Sequence, residues 1–438
     1  MEIDKTTLAD LLMFNNADEV SIFNKLDKCS TKHGSEQLRI NFATALKTRE
    51  EIVEVQQTLQ LILKKQAAWP RLISNGTVMV VEKFYDSPIS LIPSHPSVME
   101  TLSYKWLHGP DFALVTYSAK HCFDFIKGFK LILNLFSNEA VPAPLQKVLS
   151  AIERITNKEQ FAMVDKHKSS DEISNAQKLQ LAYFVRYVFK QNMLDLVVLY
   201  AKIDAWYGMA MAIEEYGLQF PQFVQSEDPV IETKGLYHLL VHQPVAYDVA
   251  LNRKTNFIFL TGANMAGKST FIKSVGAAVF LAHVGMGVPA KQMTLTLFDG
   301  MLSNINVVDN IARGESYFYN EVHRIKNTII KLNDGKKWLI LIDELFKGTN
   351  VQDAMKCSST VIEGLLKIRN SLFILSTHLY EIGEDLKKYS NIDFKYFETS
   401  VINDQLQFSY HLKDGISNDR LGYLILKREG VVDMLEKI

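Results

Sequence analysis

The chain has 438 residues, 47% hydrophobic and 22% charged, with a formal net charge of −1. That length suits two or three ordinary domains, and the apolar fraction argues against wholesale disorder. The near-neutral charge excludes a polycationic nucleic-acid coater and leaves room for a local basic groove. The three cysteines, Cys29, Cys122 and Cys357, are odd in number and form no C-x-x-C pair, so neither a disulfide scaffold nor a zinc module is expected.

The N-terminal EIDKTTLADLL is acidic where a signal peptide is basic, and AAVFLAHVGMGVPA is too short and glycine-rich to span a bilayer. A soluble cytoplasmic protein with no membrane partner is the expectation. The first part reads mostly as helix. Thr7 and Asp10 suggest a helix start, and TREE (Thr48 to Glu51) is a capping box before Ile52, Val55, Leu59, Ile62 and Leu63 at helical spacing. NGTVMVVEKFYDSP suggests a hairpin or strand after Asn75-Gly76. SPISLIPSHPSV is a proline-broken connection, and Asp165 to Gln177 is polar enough for an exposed loop or hairpin tip. Met193 to Tyr216 is apolar on nearly every face and predicts a buried helix ending at Gly217.

Near residue 231 the pattern changes. NFIFLT, KKWLILIDEL and SLFILST are apolar runs without alternation, and helix-like segments follow the first two. This predicts a mostly parallel sheet covered on both faces. Two domains are therefore expected: a mostly helical one over 1–230 and an α/β one over 231–438.

The segment Thr261 to Ser274, TGANMAGKSTFIKS, completes G-x-x-x-x-G-K-[ST] with Gly262, Gly267, Lys268 and Ser269, between a strand and a helix. That context identifies a phosphate loop, making this an α/β P-loop NTPase domain. The amides of Ala263, Asn264, Met265, Ala266 and Gly267, with Thr270 in the first helical turn, are placed to surround phosphates. Lys268 would reach the β- and γ-phosphates of ATP, and the Ser269 hydroxyl would ligate Mg2+. Asp343, ending the WLILID strand, would share the magnesium. Glu344 points the other way and would polarise the attacking water. His378, just past FILST, sits where open α/β sheets bind ligands and would sense the γ-phosphate. The stretch Asp309 to Val322 reads by itself as a loop and N-cap around Gly314 and Ser316.

Together these pieces resemble the MutS family of DNA mismatch repair ATPases. TGANMAGKST is similar to the family's TGPNMGGKST, DNIARGESYFYNE to D-x-L-x-x-G-x-S-T-F-x-x-E, LILIDELFKGTN to DE-[IL]-G-R-G-T, and STHLYE to ATHYHE. HLKDGISNDRLGYLILKREGVV resembles the family's C-terminal stretch. IDKTTLADLLMFN and MLDLVVLYAKIDAWYGMAMAIEEYGLQFP resemble the start of its helical core and the helix that returns to the ATPase domain. The resemblance implies an ABC-type ATPase preceded by an all-α core or lever with a reduced or absent clamp. It implies a homodimer, or a heterodimer with a longer relative, in which Ser316 contacts the nucleotide of the partner subunit and Asp353 lies at the interface. Differences stand out: Phe346-Lys347 replaces Gly-Arg, Pro244 occupies the place of an adenine-stacking aromatic with Tyr247 as the candidate substitute, and the mismatch-reading and connector domains have no counterpart.

The leading expectation is a DNA-binding ATPase of mismatch repair or a related DNA-structure pathway. The alternative is a nucleotide-gated protein that binds ATP and repair-protein partners without reading DNA.

Overall fold

The computed structural model describes residues 1–14, 20–306, 317–402, 405–417 and 431–435. The chain forms two compact units. One gathers Met1–Lys25, Ala45–Ile52 and Tyr216–Ile438, and the other holds Leu26–Thr44 and Val53–Glu215. The expected boundary at 230/231 is thus moved: the N-terminal residues belong with the sheet, not with the helices. Three short elements begin the chain, β1 (Glu2–Ile3), α1 (Lys5–Asp10) and α2 (Ile22–Leu26).

The helical unit contains α3 (Lys32–Ala43), most of α4 (Arg49–Lys65), α5 (Asn75–Asp86), α6 (Val98–Leu107), α7 (Gly109–Phe136), α8 (Ala143–Thr156), α9 (Ala162–Lys166), α10 (Asn175–Tyr183) and α11 (Lys190–Tyr216). The strand expected after Asn75-Gly76 is α5 instead. The Ser74 hydroxyl accepts from the Thr77 amide at 3.2 Å, completing a capping box, and Val78, Val81 and Phe84 recur on the buried face. Valine's strand preference yields here to capping and packing. Of the polar stretch 165–177, residues 167–174 form the connection between α9 and α10 and the rest belongs to the two helix ends; Ser170 and Ile173 within it are buried.

Helix α11 is the spine of this unit and ends at Gly217, whose φ of 61° is a left-handed stop. It is the one helix among the described residues long and apolar enough to cross a membrane, and 67% of its apolar window is buried inside the protein, as in a core helix. Its buried Asp204 accepts from the Ser30 and Thr31 amides at 2.9 and 2.8 Å and from the Thr31 hydroxyl at 2.6 Å. Thr31 in turn caps α3 through the Gly34 amide. A Cβ at Gly34 would lie 2.1 Å from the Asp204 carboxylate, so only glycine lets the two helices close.

The other unit carries β2 (Gln222–Phe223), β3 (Ile231–Leu236), β4 (Tyr247–Leu251), β5 (Phe257–Thr261), α12 (Lys268–His283), β6 (Gln292–Leu295), β7 (Gly300–Asn304), α13 (Tyr317–Leu332), β8 (Trp338–Asp343), α14 (Val351–Leu365), β9 (Leu372–Ser376), α15 (Glu381–Leu386), β10 (Ile392–Ile402), β11 (Gln405–Asp414) and α16 (Val431–Leu435). Its main sheet has the order β1-β7-β8-β9-β5-β10-β11 and is parallel except for β10 with β11. A smaller sheet runs β2-β6-β3-β4. Strands β5, β7, β8 and β9 are buried at every position, which explains the unbroken apolar runs of β5, β8 and β9.

The N-terminal segment is built into this sheet. Strand β1 pairs with β7, Glu2 against Gly300. The α1 cap is Asp4, which accepts from the Thr7 amide at 2.7 Å, rather than Thr7 itself. Thr7 and Asp10 face inward instead. The Thr7 hydroxyl accepts from the Ser303 amide at 3.0 Å, and the Asp10 carboxylate accepts from the Ser303 hydroxyl and the Ile305 and Asn306 amides. A Cβ on Gly276 of α12 would meet both Leu11 and Leu341, so α12 lies flush against β8 and this segment.

Candidate nucleotide site

The loop between β5 and α12 leaves ordinary backbone space three times, with φ of 137° at Gly262, 69° at Met265 and 110° at Gly267. At Gly262 a Cβ would come 3.3 Å from the Phe397 carbonyl, so close approach as well as dihedral calls for glycine. Ala263 and Ala266 are buried, while Asn264 and Met265 are exposed. Helix α12 then starts at Lys268, which aims its first-turn amides at the loop.

The buried Lys268 ammonium donates to the carbonyls of Gly262 and Ala263 at 2.7 and 3.1 Å, and burial lowers its pKa. Those bonds fix the cation in the mouth of the loop and leave one N–H for another acceptor. Next to it the Ser269 hydroxyl donates to one oxygen of Asp343, and the Ser376 hydroxyl donates to the other. Asp343 and Ser376 are paired ends of β8 and β9. A hydroxyl and a carboxylate form an oxygen-only donor set suited to a hard divalent cation such as magnesium. Among the described residues no group of three His, Cys, Asp or Glu side chains could hold a metal, so such a cation would also lean on phosphate oxygens.

Glu344 breaks out of β8 with φ 63°, its amide donating to the Ser376 carbonyl at 3.0 Å. Its carboxylate lies 3.6 Å from His378 Nδ1 and 3.3 Å from Lys347 Nζ. The His378 separation is long for a hydrogen bond, so their attraction is mainly electrostatic. The His378 ring, with the Lys347 and Lys268 charges, draws the Glu344 pKa down to about 2 against the opposing effect of burial. The sequence-predicted carboxylate, cation and histidine are therefore brought together. Asp353 lies in the first turn of α14, its amide donating to the Asn350 side chain at 3.0 Å. Ser316, Asp309 and Gly314 lie outside the described residues.

A cavity of about 460 Å³ opens over this loop, walled by Ala263–Met265, Gly267–Thr270, Glu344, the segment His238–Tyr247 and Tyr410. Pro244 is part of that lining. Tyr247 also lines it, but its buried ring is held edge-on by Phe271 and Phe397 at 5.4 and 5.7 Å, making it a fixed wall. Three contributors escape sequence reasoning. Tyr410 stands in a bulge where Ser409–His411 oppose Glu398 alone, and its φ of 55° re-aims the half-exposed ring. His238 is buried and accepts from the Leu240 amide at Nδ1, so its proton is on Nε2, which is buried and has no partner among the described residues. Burial lowers its pKa to about 4, so the ring is neutral. Glu321 of α13 accepts from the Lys347 and Gly348 amides at 3.2 and 3.4 Å and thereby holds the loop that follows Glu344. For Glu321 a signal did exist, the acidic residue closing DNIARGESYFYNE.

Residues 258–434 match the MutS domain V family. The "DNA mismatch repair protein MutS" of Thermotoga maritima is 31% identical over 248 residues, which cover 56% of this chain and 30% of that relative. The protein of the same name from Petrotoga mobilis is 27% identical over 267 residues, 59% and 32% of the two chains. That of Lactococcus lactis subsp. cremoris is 28% identical over 241 residues, 54% and 28%. The matched part spans about a third of the length of these curated relatives.

Proposed function

We propose, starting from the chain's membership of the MutS family through its domain V, that it binds ATP at the β5–α12 loop and hydrolyses it. The observation that carries this reading is the convergence of Lys268, Ser269, Asp343 and Glu344 on one strand-end rim. Lys268 would neutralise the β- and γ-phosphates beside the α12 N-terminus. Ser269 and Asp343 would hold magnesium, which when bound supplies positive charge to the phosphate oxygens. A Glu344 pKa near 2 makes the group a weak proton acceptor, so it acts chiefly by orienting and polarising the attacking water. His378, beside it, would sense the terminal phosphate.

The name of the relatives supports a role in DNA mismatch repair, and the proposal extends to DNA engagement controlled by ATP across a dimer, Ser316 of one chain facing the nucleotide of the other. The test is steady-state ATP turnover with Mg2+ for the parent and for Glu344→Gln. A fall of roughly 10²- to 10⁴-fold, with nucleotide affinity kept, is the expected outcome. Equal turnover would remove Glu344 from this role. Duplex titration at two salt concentrations addresses the second reading, a nucleotide-gated regulator. Phosphate contacts weaken steeply with salt, and no binding at low salt favours the regulator.

A further inference from the structure

Strand β9 is apolar at every position but its last, Ser376, which is fully buried. A buried hydroxyl has to find a partner. The register of the sheet supplies one. Strand β9 lies between β8 and β5, and Ser376 is paired with Asp343 on one side and with Leu260 on the other. Its hydroxyl donates to Asp343 Oδ1, while the Ser269 hydroxyl donates to Oδ2. The Ser376 carbonyl is engaged as well: it accepts from the Glu344 amide at 3.0 Å, where the chain breaks out of β8. One residue thus grips the Asp343 side chain and the Glu344 backbone. The MutS stretch that STHLYE resembles has alanine here, with no hydroxyl to give.

The two oxygens of Asp343 are therefore not equivalent. Oδ1 is tied to a buried donor inside the sheet, and Oδ2 faces Ser269 at the start of α12. A carboxylate held in this way offers a cation one oxygen rather than a chelating pair. Divalent cations differ in what they need. Mg2+ is small, keeps to octahedral order and takes few protein ligands beside phosphate oxygens. Ca2+ is larger, collects more oxygens in looser geometry and readily takes both oxygens of one carboxylate.

We propose that Ser376 is a positioning residue that sets the choice of metal: by holding Oδ1 it presents Asp343 through Oδ2 alone and favours Mg2+ over Ca2+ beside the nucleotide. This role rests on the ATP-binding reading above. In a Ser376→Ala variant the backbone bond to Glu344 remains, so that substitution isolates the hydroxyl.

The test is calorimetric titration of the full chain with the non-hydrolysable ATP analogue adenylyl imidodiphosphate, in Mg2+, in Ca2+ and in EDTA. The parent should bind more tightly with Mg2+ than with Ca2+. Ser376→Ala should lower that Mg2+/Ca2+ affinity ratio by about 10- to 100-fold, the usual effect of removing a group that orients a metal ligand, and leave the affinity in EDTA unchanged. Ser376→Cys is close to serine in volume but has only a weak S–H donor, so it should fall with the alanine variant. A general loosening of the sheet would instead weaken binding alike in all three conditions and leave the ratio where it was. An unchanged ratio in both variants, or a parent with no preference for Mg2+, would overturn the role of Ser376 and leave ATP binding standing. Failure of the parent to bind the analogue in any condition would overturn the ATP reading itself, and the role of Ser376 with it.

Discussion

The ammonium of Lys347 stands 3.3 Å from the carboxylate of Glu344, three residues apart on the turn that follows β8. Where the MutS sequences it resembles carry arginine, this chain has a lysine bound as a point charge instead of a planar fork. Lys347 helps lower the Glu344 pKa, so Lys347→Ala should raise it and move the acid limb of the kcat profile to higher pH. The lowered pKa also contributes stability that is complete above the unfolded value of 4.5 and is lost as pH falls towards about 2. The variant should lose part of that window, which acid titration followed by circular dichroism would read. An unshifted acid limb would deny Lys347 any influence on the carboxylate.

Asp343 shares its two oxygens between Ser269 and Ser376. Asp343→Asn should leave the fold intact, because an amide can still accept one of those bonds, while removing the charge that would hold magnesium. Calorimetric titration with an ATP analogue should show affinity that depends on Mg2+ in the parent and hardly at all in the variant. Lys268→Ala should weaken binding with or without the metal, by about 10- to 100-fold, the worth of a hydrogen bond to a charged group. Retained Mg2+ dependence in Asp343→Asn would move the metal elsewhere.

Glu321 reaches the turn after β8 from helix α13. Glu321→Ala would leave the Lys347 and Gly348 amides short of a partner and should cost about 1–3 kcal/mol in urea denaturation. Glu321→Gln keeps an acceptor and removes a group whose pKa burial raises. Ionisation of Glu321 opposes folding, so stability falls as pH rises from the unfolded pKa through the folded one. The glutamine variant should lack that decline. ATP turnover should drop in the alanine variant and recover largely in the glutamine one. Identical losses in both would mean that charge, not loop placement, is the residue's contribution.

His238 forms part of the cavity wall, while its Nε2 is buried and has no acceptor among the described residues. His238→Ala would open that wall and should weaken ATP binding several-fold, while pyrophosphate, small enough to bind at the β5–α12 loop alone, should be unaffected. Equal weakening of both ligands would indicate a general disturbance of the pocket instead.

Asp10 ties α1 to β7 through Ser303, Ile305 and Asn306. It is buried, and Asp10→Ala strips an acceptor from three donors at once, at a cost of about 3 kcal/mol. Hydrogen exchange should then speed up at β7 and β1 and remain slow in the helical unit. Uniform acceleration would contradict the division into two units.

The β5–α12 loop and the strand-end positions of Asp343, Glu344 and His378 were legible because each is encoded locally: a strand, a turn and a helix start contiguous in the chain. Strands β5, β8 and β9 were legible for the same reason, as unbroken apolar runs. What the sequence concealed is non-local. Nothing in Glu2-Ile3 announces a partner at Gly300-Met301, and the domain boundary was misplaced on that account. Tyr410 is invisible because a bulge, not a motif, turns it towards the loop. Helix α5 misled through its valines, although the Ser74–Thr77 cap was there to be read.

Strand β1 and its neighbour β7 are separated by 298 positions, from Glu2 to Gly300. At roughly 5–20 residues per second, a ribosome would take about 15–60 s to cover that distance. During that interval β1 has no edge to join, and Asp10 and Thr7 have no amides to receive. The helical unit, complete by residue 215, can settle first. The sheet recruits β1 and α1 only once β7 exists, so substitutions that weaken β1 or Asp10 would slow a late step of folding more than an early one.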